Sequence, residues 1–279
     1  MNLQVQEVFL LSAIVVAVLM LSVWLVSLRL RDVSIVDLVW GAGFALTAWT
    51  AFLYYGGSRQ SSLLLPCLTT AWGLRLSLYL TWRNHGKPED FRYQSMRENW
   101  GRSFPLASLL IVFGLQGAIM WLVSLPVQVA IASPSGLVPW LCAFGVIVWT
   151  VGLAFEAVGD WQLAKFRSNP NGGNQVLDTG LWRYTRHPNY FGDFLVWWGL
   201  YLVAMSQSTA WWTAIGPLTM SFLLVRVSGV TLLEKSLISN KPGYADYVAR
   251  TRAFFPWPPR HSTFGKQPTE INPYDNFLR

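Results

Sequence analysis

Apolar residues along this chain gather into runs of spanning length, parted by short polar and basic stretches. The runs cover roughly 7–28, 33–55, 61–82, 104–130, 137–158, 190–206 and 209–230. A helix rises about 1.5 Å per residue, so about 20 apolar residues cross a bilayer core. The pattern predicts seven transmembrane helices. The last two are short and separated only by Gln207-Ser208, which points to a tight hairpin. The first segment, Val8 to Leu28, is too long for a signal-peptide core and has no basic stretch before it, so it reads as a retained helix. The expected fold is all-α: a polytopic membrane protein forming a single bundle of about seven transmembrane helices.

Composition agrees. The chain is 53% hydrophobic and 13% charged, against roughly 25% charged in a soluble domain. The net charge of +7 would fit nucleic acid, but its placement argues otherwise. Arg29 and Arg31 follow the first run. Arg83, Lys87, Arg92, Arg97 and Arg102 lie between the third and fourth, and Lys165, Arg167, Arg183 and Arg186 between the fifth and sixth. Lys235, Lys241, Arg250, Arg252 and Arg260 follow the seventh, while the opposite loops hold only Arg59. Seven crossings place every basic loop on one side, the cytoplasmic side. The N-terminus then lies outside and the C-terminus in the cytoplasm, in an inner membrane if the source is prokaryotic. Topology accounts for the charge, and no nucleic-acid partner is expected. Cys67 and Cys142 sit in apolar surroundings without metal-ligand spacing; they read as small packing residues, with a disulfide left open. No metal site is expected. Asn169-Pro-Asn-Gly-Gly-Asn174 is a strong turn signal, and the tail from Pro256 is polar and proline-rich.

Ionisable groups inside a span are costly and are functional candidates. Asp37 opens the second helix on one face with Trp40 and Phe44; it reads as a functional carboxyl or as a partner for the helix dipole. Trp72, Arg75 and Tyr79 share a face of the third helix, with Arg75 in mid-span. Glu156, Asp160 and Arg167 fall at helical spacings near the end of the fifth, as a site or an interfacial ion-pair ladder. Arg226 and Glu234 lie two turns apart at the end of the seventh. The loop Lys87-Pro-Glu-Asp-Phe-Arg92-Tyr93 reads as a solvated loop or as a cap over the cytoplasmic mouth of the bundle.

The densest stretch is Leu181-Trp-Arg-Tyr184-Thr-Arg186-His187-Pro188-Asn189-Tyr190-Phe-Gly-Asp193. Pro188 fixes its own φ and disfavours a helical state for the residue before it. A loop becomes a helix there. Helix N-termini present free N–H groups and partial positive charge, and neighbouring arginines suit a phosphate or another anion. A positive-inside anchor would explain the charge, but would not need Asn189 and Asp193 one turn apart.

Arg-His-Pro-Asn-Tyr-x-Gly-Asp resembles the signature of membrane sterol reductases and steroid 5-alpha-reductase-like proteins. A looser Arg-His-Pro-x-Tyr occurs in isoprenylcysteine and phospholipid methyltransferases. Glu156, Asp160, Arg167, Gly180-Leu-Trp-x-Tyr184, Asn189, Asp193, Arg226, Tyr244-x-x-Tyr247 and Phe255-Pro256 follow the reductase order, covering roughly residues 152–257. The resemblance implies NADPH as cofactor. It carries Asp160, Arg167, Asn189, Asp193, Arg226 and Glu234 onto cofactor-contacting positions, with Glu156 and Glu234 differing in type from the steroid enzymes. Arg75, Arg92, Tyr93, Tyr184, Arg186, His187 and Tyr190 are counted with them as cofactor-binding candidates. Asp37 falls where the reductases place a substrate-contacting glutamate. Trp72 falls near their catalytic tyrosine, and Tyr79 on the same face is the alternative phenol. Asp37, Tyr79 and Trp72 are thus the catalytic candidates, and Asp37, Trp40, Phe44 and Trp72 the substrate-binding ones. One domain over 1–279 is expected: substrate-side helices in 1–130, a cofactor region in 131–260 and a polar tail in 261–279.

The implied reaction reduces a lipid-like enone, such as the Δ4 bond of a 3-oxo-steroid. A hydride from the nicotinamide reaches the β-carbon while charge develops on the carbonyl oxygen. A protonated carboxyl or a phenol can donate to that oxygen, and Asp37 in an apolar helix fits the first role. No Gly-x-Gly-x-x-Gly strand–helix unit is present, so arginines would hold the nucleotide phosphates. The alternative is an S-adenosylmethionine-dependent methyltransferase. Such enzymes usually show paired glutamates where this chain has Glu234-Lys235, and fewer helices before the motif. A non-enzymatic transporter or lipid-binding protein is a third reading, without the paired interrupted halves many transporters show. The expected partners are membrane lipid and an enone substrate, with the chain acting as a monomer.

Overall fold

The computed structural model describes residues 3–56, 63–133, 135–169, 175–227 and 241–260. Among these the chain is helix, turn and loop, with no strand. Helix α1 spans Leu3–Leu30. Its buried residues Val5, Val8, Ser12, Val16, Met20, Val23 and Ser27 recur every three or four positions and form a packing stripe. Leu10, Ile14, Val18 and Leu25 on its other faces stay exposed. A helix apolar all round fits a lipid environment better than water.

Among the described residues four helical stretches are long and apolar enough to cross a membrane: Leu3–Leu30, Ile35–Tyr55, Phe91–Val123 and Pro139–Arg167. This is fewer than the seven apolar runs of the sequence, for local reasons. The third run folds as α3 (Leu64–Asn84), which carries Arg75 and several hydroxyl residues. The sixth becomes α9 (Pro188–Met205), whose first two turns hold Asn189 and Asp193. The seventh is broken into a 3-10 turn at Trp211–Ala214, α10 (Ile215–Phe222) and a π turn at Leu223–Val227. The fourth run is divided as well. Helix α4 (Phe91–Trp100) precedes it, followed by α5 (Phe104–Ser108), a π turn at Leu109–Gly114 and α6 (Leu115–Val123). Ser124 then ends α6, and Pro126 lies in the first turn of α7 (Leu125–Ala132), where its missing N–H costs no helical bond.

The chain groups into two compact units, residues 1–154 with 192–224 and residues 155–191 with 225–279. In the first, α2 (Ile35–Ala51) lies along α3, and α1 lies against α2. Gly41 and Gly73 meet at the α2–α3 crossing, where a Cβ on either would collide with the carbonyl of the other. Helix α8 (Pro139–Arg167) uses the same device. A Cβ on Gly145 would lie 2.7 Å from Val203 N, one on Gly152 2.7 Å from Gly192 O, and one on Gly199 2.7 Å from Trp149 Cα. Small residues at a helix crossing let backbones approach closely, which is how helices associate where lipid removes the hydrophobic drive.

The second unit holds the end of α8, a 3-10 turn at Gly180–Arg183, the start of α9 and the short helix α11 (Tyr244–Arg250). Segments 180–187 and 247–257 are zipped together by backbone bonds. Arg186 N donates to Arg252 O at 3.0 Å and Trp257 N to Tyr184 O at 2.9 Å. The Thr185 hydroxyl donates to Phe254 O at 2.8 Å, and the Tyr247 hydroxyl to Trp182 O. Cys67 and Cys142 are both free thiols.

Candidate functional site

In the first unit the chemistry collects around Asp37. Tyr93 donates its hydroxyl to Asp37 Oδ1 at 3.1 Å. Gln116 Nε2 donates to Tyr93 Oη at 3.2 Å and reaches Asp37 Oδ1 at 3.4 Å. Arg92 Nη2 lies 3.3 Å from Asp37 Oδ2, while its Nε holds Asp90 Oδ1 at 2.9 Å. The Arg92 side chain is half exposed, so the pair contributes little Coulomb energy but keeps the guanidinium over the carboxyl.

Local sequence builds this cluster. Asp90 caps α4 by accepting from Arg92 N at 3.0 Å, satisfying one of the free donors of the first turn. The segment 91–93, expected as part of a loop, is therefore the first turn of a helix, and this aims Arg92 and Tyr93. The loops flanking the cluster are tied together. Val33 N donates to Glu89 Oε1 at 2.7 Å and Asp90 N to Ser34 Oγ at 2.7 Å. Arg97 grips Glu89 through both carboxyl oxygens, at 2.8 and 3.1 Å.

One and two turns along α2 from Asp37 an aromatic floor begins. Trp40 meets Phe44 edge-on at 5.3 Å between ring centroids; Phe44 meets Trp72 at 5.6 Å and Trp197 at 4.6 Å. Trp72 is fully buried against Trp197, 5.2 Å away. Tyr79 lies elsewhere on α3, its ring approached by the guanidiniums of Arg75 and Arg83 at 5.9 and 5.7 Å. Asp193 also belongs to this first unit.

The second unit brings another set together. Helix α9 begins at Pro188, as the proline pattern expects. Asn189 Nδ2 donates to Asp160 Oδ1 at 3.3 Å, and Glu156, one turn before Asp160, is buried with it. His187 and Tyr190 stack nearly parallel at 5.3 Å. Arg167 is exposed at the end of α8. Beside it, the Lys241 ammonium lies 5.2 Å over the Phe166 ring. Burial, then the Arg167 charge, lowers the Lys241 pKa below its ordinary value. Arg186 is placed differently from the others. Its side chain is buried, and Nη1 donates to Val248 O at 3.1 Å and to Thr251 O. It joins the loop to the end of α11. Tyr184 and Arg226 are exposed. Glu234 lies outside the described residues, as do 170–174 of the turn and the tail from 261.

Two functional candidates escaped sequence reasoning. Gln116 is one of two amides, with Gln128, in the apolar run 104–130, and that polar interruption was its signal. Lys241 was visible only as one more basic residue. Among the described residues no group of three or more His, Cys, Asp or Glu side chains is arranged to hold a metal.

No solved structure matches the chain. An uncharacterised protein of Schizosaccharomyces pombe is 27% identical over 271 residues, covering 84% of this chain and 75% of that protein. The nickel-cobalt-cadmium resistance protein NccN of Alcaligenes xylosoxydans xylosoxydans is 29% identical over 140 residues, covering 50% of this chain and 62% of its own. A family profile described as "protein of unknown function (DUF1295)" matches residues 23–251. With most of its length inside that match, the chain belongs to the DUF1295 family.

Proposed function

We propose that this protein is a membrane-embedded, NADPH-dependent reductase of a lipid-like enone, of the steroid 5-alpha-reductase-like type. The observation that carries the reading is the Asp37 cluster. A carboxyl at the head of an apolar helix accepts a phenol hydroxyl at 3.1 Å and an amide at 3.4 Å, next to an aromatic floor. Such a carboxyl–phenol pair suits a substrate carbonyl oxygen on which negative charge develops. The structural partner of Asp37 makes Tyr93, rather than Tyr79, our candidate for the second donor. Trp40, Phe44 and Trp72 would contact the apolar body of the substrate.

The cofactor reading rests on the second unit. Arg167 and Lys241 are neighbouring cations without a carboxylate partner among the described residues, which suits a phosphate. Asp160 and Asn189 offer a hydrogen-bonded acceptor and donor pair to a sugar or amide. NADPH would supply the hydride; the chain would bind it, exclude water and polarise the substrate. The proposal retains seven spans, N-terminus outside and C-terminus in the cytoplasm. The name of NccN raises a metal-handling alternative, and the described residues offer no donor cluster for it.

The test is NADPH binding by calorimetry to the full chain in detergent, with Arg167→Ala beside it. Losing one charge-assisted contact is worth on the order of 1.5–3 kcal/mol, or roughly tenfold to over a hundredfold in affinity. Unchanged affinity removes Arg167 from the site. Tight S-adenosylmethionine binding in place of NADPH overturns the reductase reading.

A further inference from the structure

A cleft of about 470 Å³ opens in the second unit, lined by none of the residues assigned to the cofactor. Arg183, Arg250 and Arg260 line it, with Asp178, Thr179 and Thr251. Three arginines face one aspartate, which leaves an excess of positive charge. The three are not equivalent. Arg250 is occupied: Nη2 holds Asp178 Oδ2 at 2.7 Å and Nε holds Asp246 Oδ2 at 3.1 Å. Arg183 and Arg260 are exposed and have no carboxylate partner among the described residues.

The backbone makes the cleft a defined shape. Arg260 N donates to Arg250 O at 2.9 Å, which fixes the tail against the end of α11. Leu181 N donates to Gln162 Oε1 at 3.0 Å, and Gly180 takes a left-handed φ of 62° there. A Cβ at Gly180 would run into the Gln162 side chain. The walls are thus held on both sides, while two guanidiniums have no carboxylate partner among the described residues. Guanidinium forks match the oxygens of a phosphate, and Thr179 adds a hydroxyl donor.

Two large aromatics on the same tail are exposed. Phe255 and Trp257 are each 58% accessible, and Arg252 lies 5.2 Å over the Trp257 ring. Exposed aromatics beside cations are the pattern of a membrane–water boundary.

We propose that this cleft binds the phosphate group of an anionic ligand, with Arg183 and Arg260 as the recognising residues, at a site separate from the cofactor. A phospholipid headgroup and a free phosphate share that chemistry. The experiment separates them on the full chain in detergent. Dihexanoylphosphatidylglycerol and inorganic phosphate are titrated by calorimetry, against wild type and the double variant Arg183→Gln, Arg260→Gln. Both ligands should bind wild type and lose about tenfold or more in the variant. Tenfold preference for the lipid assigns a headgroup; equal affinities assign a free phosphate, and either supports the site. Arg183→Lys with Arg260→Lys should restore part of the binding, which a folding defect would not allow. Wild-type affinity of the Gln variant for both ligands overturns the proposal. So does displacement of both by NADPH at its own binding affinity, which would merge the cleft with the cofactor site.

Discussion

Tyr93 and Asp37 lie 56 residues apart in sequence and share a hydrogen bond of 3.1 Å from the phenol to Oδ1. The bond depends on three supports: the Asp90 cap that starts α4, the Glu89–Arg97 clamp on the neighbouring loop, and Gln116, which donates to both partners. In the proposed reaction, a pair held this way would be preorganised for an oxygen with developing charge.

Turnover of a 3-oxo-Δ4-steroid and of a simpler cyclic enone should therefore respond at both positions. Losing one donor to a developing oxyanion typically costs about 10²–10³ in rate. Tyr93→Phe should fall in that range. Asp37→Asn should fall less than Asp37→Leu, because the amide still donates. NADPH affinity should barely move in any of them. Wild-type rates in Asp37→Leu would reduce Asp37 to a partner of the helix dipole, and the proton donor would then be sought first at Tyr93 and next at Tyr79.

Arg186 should behave as a structural residue. Its guanidinium donates to the carbonyls of Val248 and Thr251, and its own N–H to Arg252 O. Arg186→Ala leaves buried carbonyls without donors, at about 1–3 kcal/mol for each unsatisfied group. The expected result is lower thermal stability and faster proteolysis near residues 244–257, rather than a selective loss of NADPH affinity. A stable variant with weakened cofactor binding alone would return Arg186 to the cofactor site.

Asp90 should set an acid limb of stability. Burial alone would raise its carboxyl, but the Arg92 guanidinium and backbone N–H hold it below the ordinary 3.8. The unfolded chain then binds a proton more readily, so stability rises with pH across this window. The contribution is present above 3.8 and lost as pH falls through the lower folded value. Asp90→Asn keeps the cap and should flatten the acid dependence of thermal unfolding. Asp90→Ala should also lose about 1 kcal/mol of cap energy at neutral pH. An unchanged acid slope in Asp90→Asn would show that other groups control it.

Much of this arrangement is written in local patterns. The all-round apolar character of α1 and the proline-led start of α9 follow from composition and φ restriction. Gly145, Gly152 and Gly159 recur every seven residues, a stripe readable as a close helix crossing. What they cross is not readable, because Gly192 and Gly199 belong to a different apolar run. Helix α4 was hidden for another reason. Its sequence Phe-Arg-Tyr-Gln-Ser-Met-Arg-Glu-Asn-Trp has no apolar stripe, and its cap lies in a stretch that also reads as a loop. Arg186 and Arg167 looked alike as basic residues near the same motif. Only tertiary structure distinguishes a guanidinium turned onto backbone carbonyls from one exposed at a helix end.

The Lys241 ammonium gives a test of the cofactor reading that does not require turnover. Burial and then the Arg167 charge lower its pKa from 10.5. Part of the folded population is therefore neutral at alkaline pH, where the unfolded chain would still be protonated. Stability rises with pH through that window, because the unfolded state binds more protons there. A phosphate placed beside Lys241 and Arg167 reverses the Arg167 effect and favours the charged amine. NADPH binding should then take up protons on the alkaline side of neutrality. Calorimetry in two buffers of different ionisation enthalpy measures this directly. Lys241→Gln should abolish the uptake while leaving a weaker binding signal. Proton-neutral binding to wild type, with normal NADPH affinity, would place the nucleotide phosphates away from Lys241.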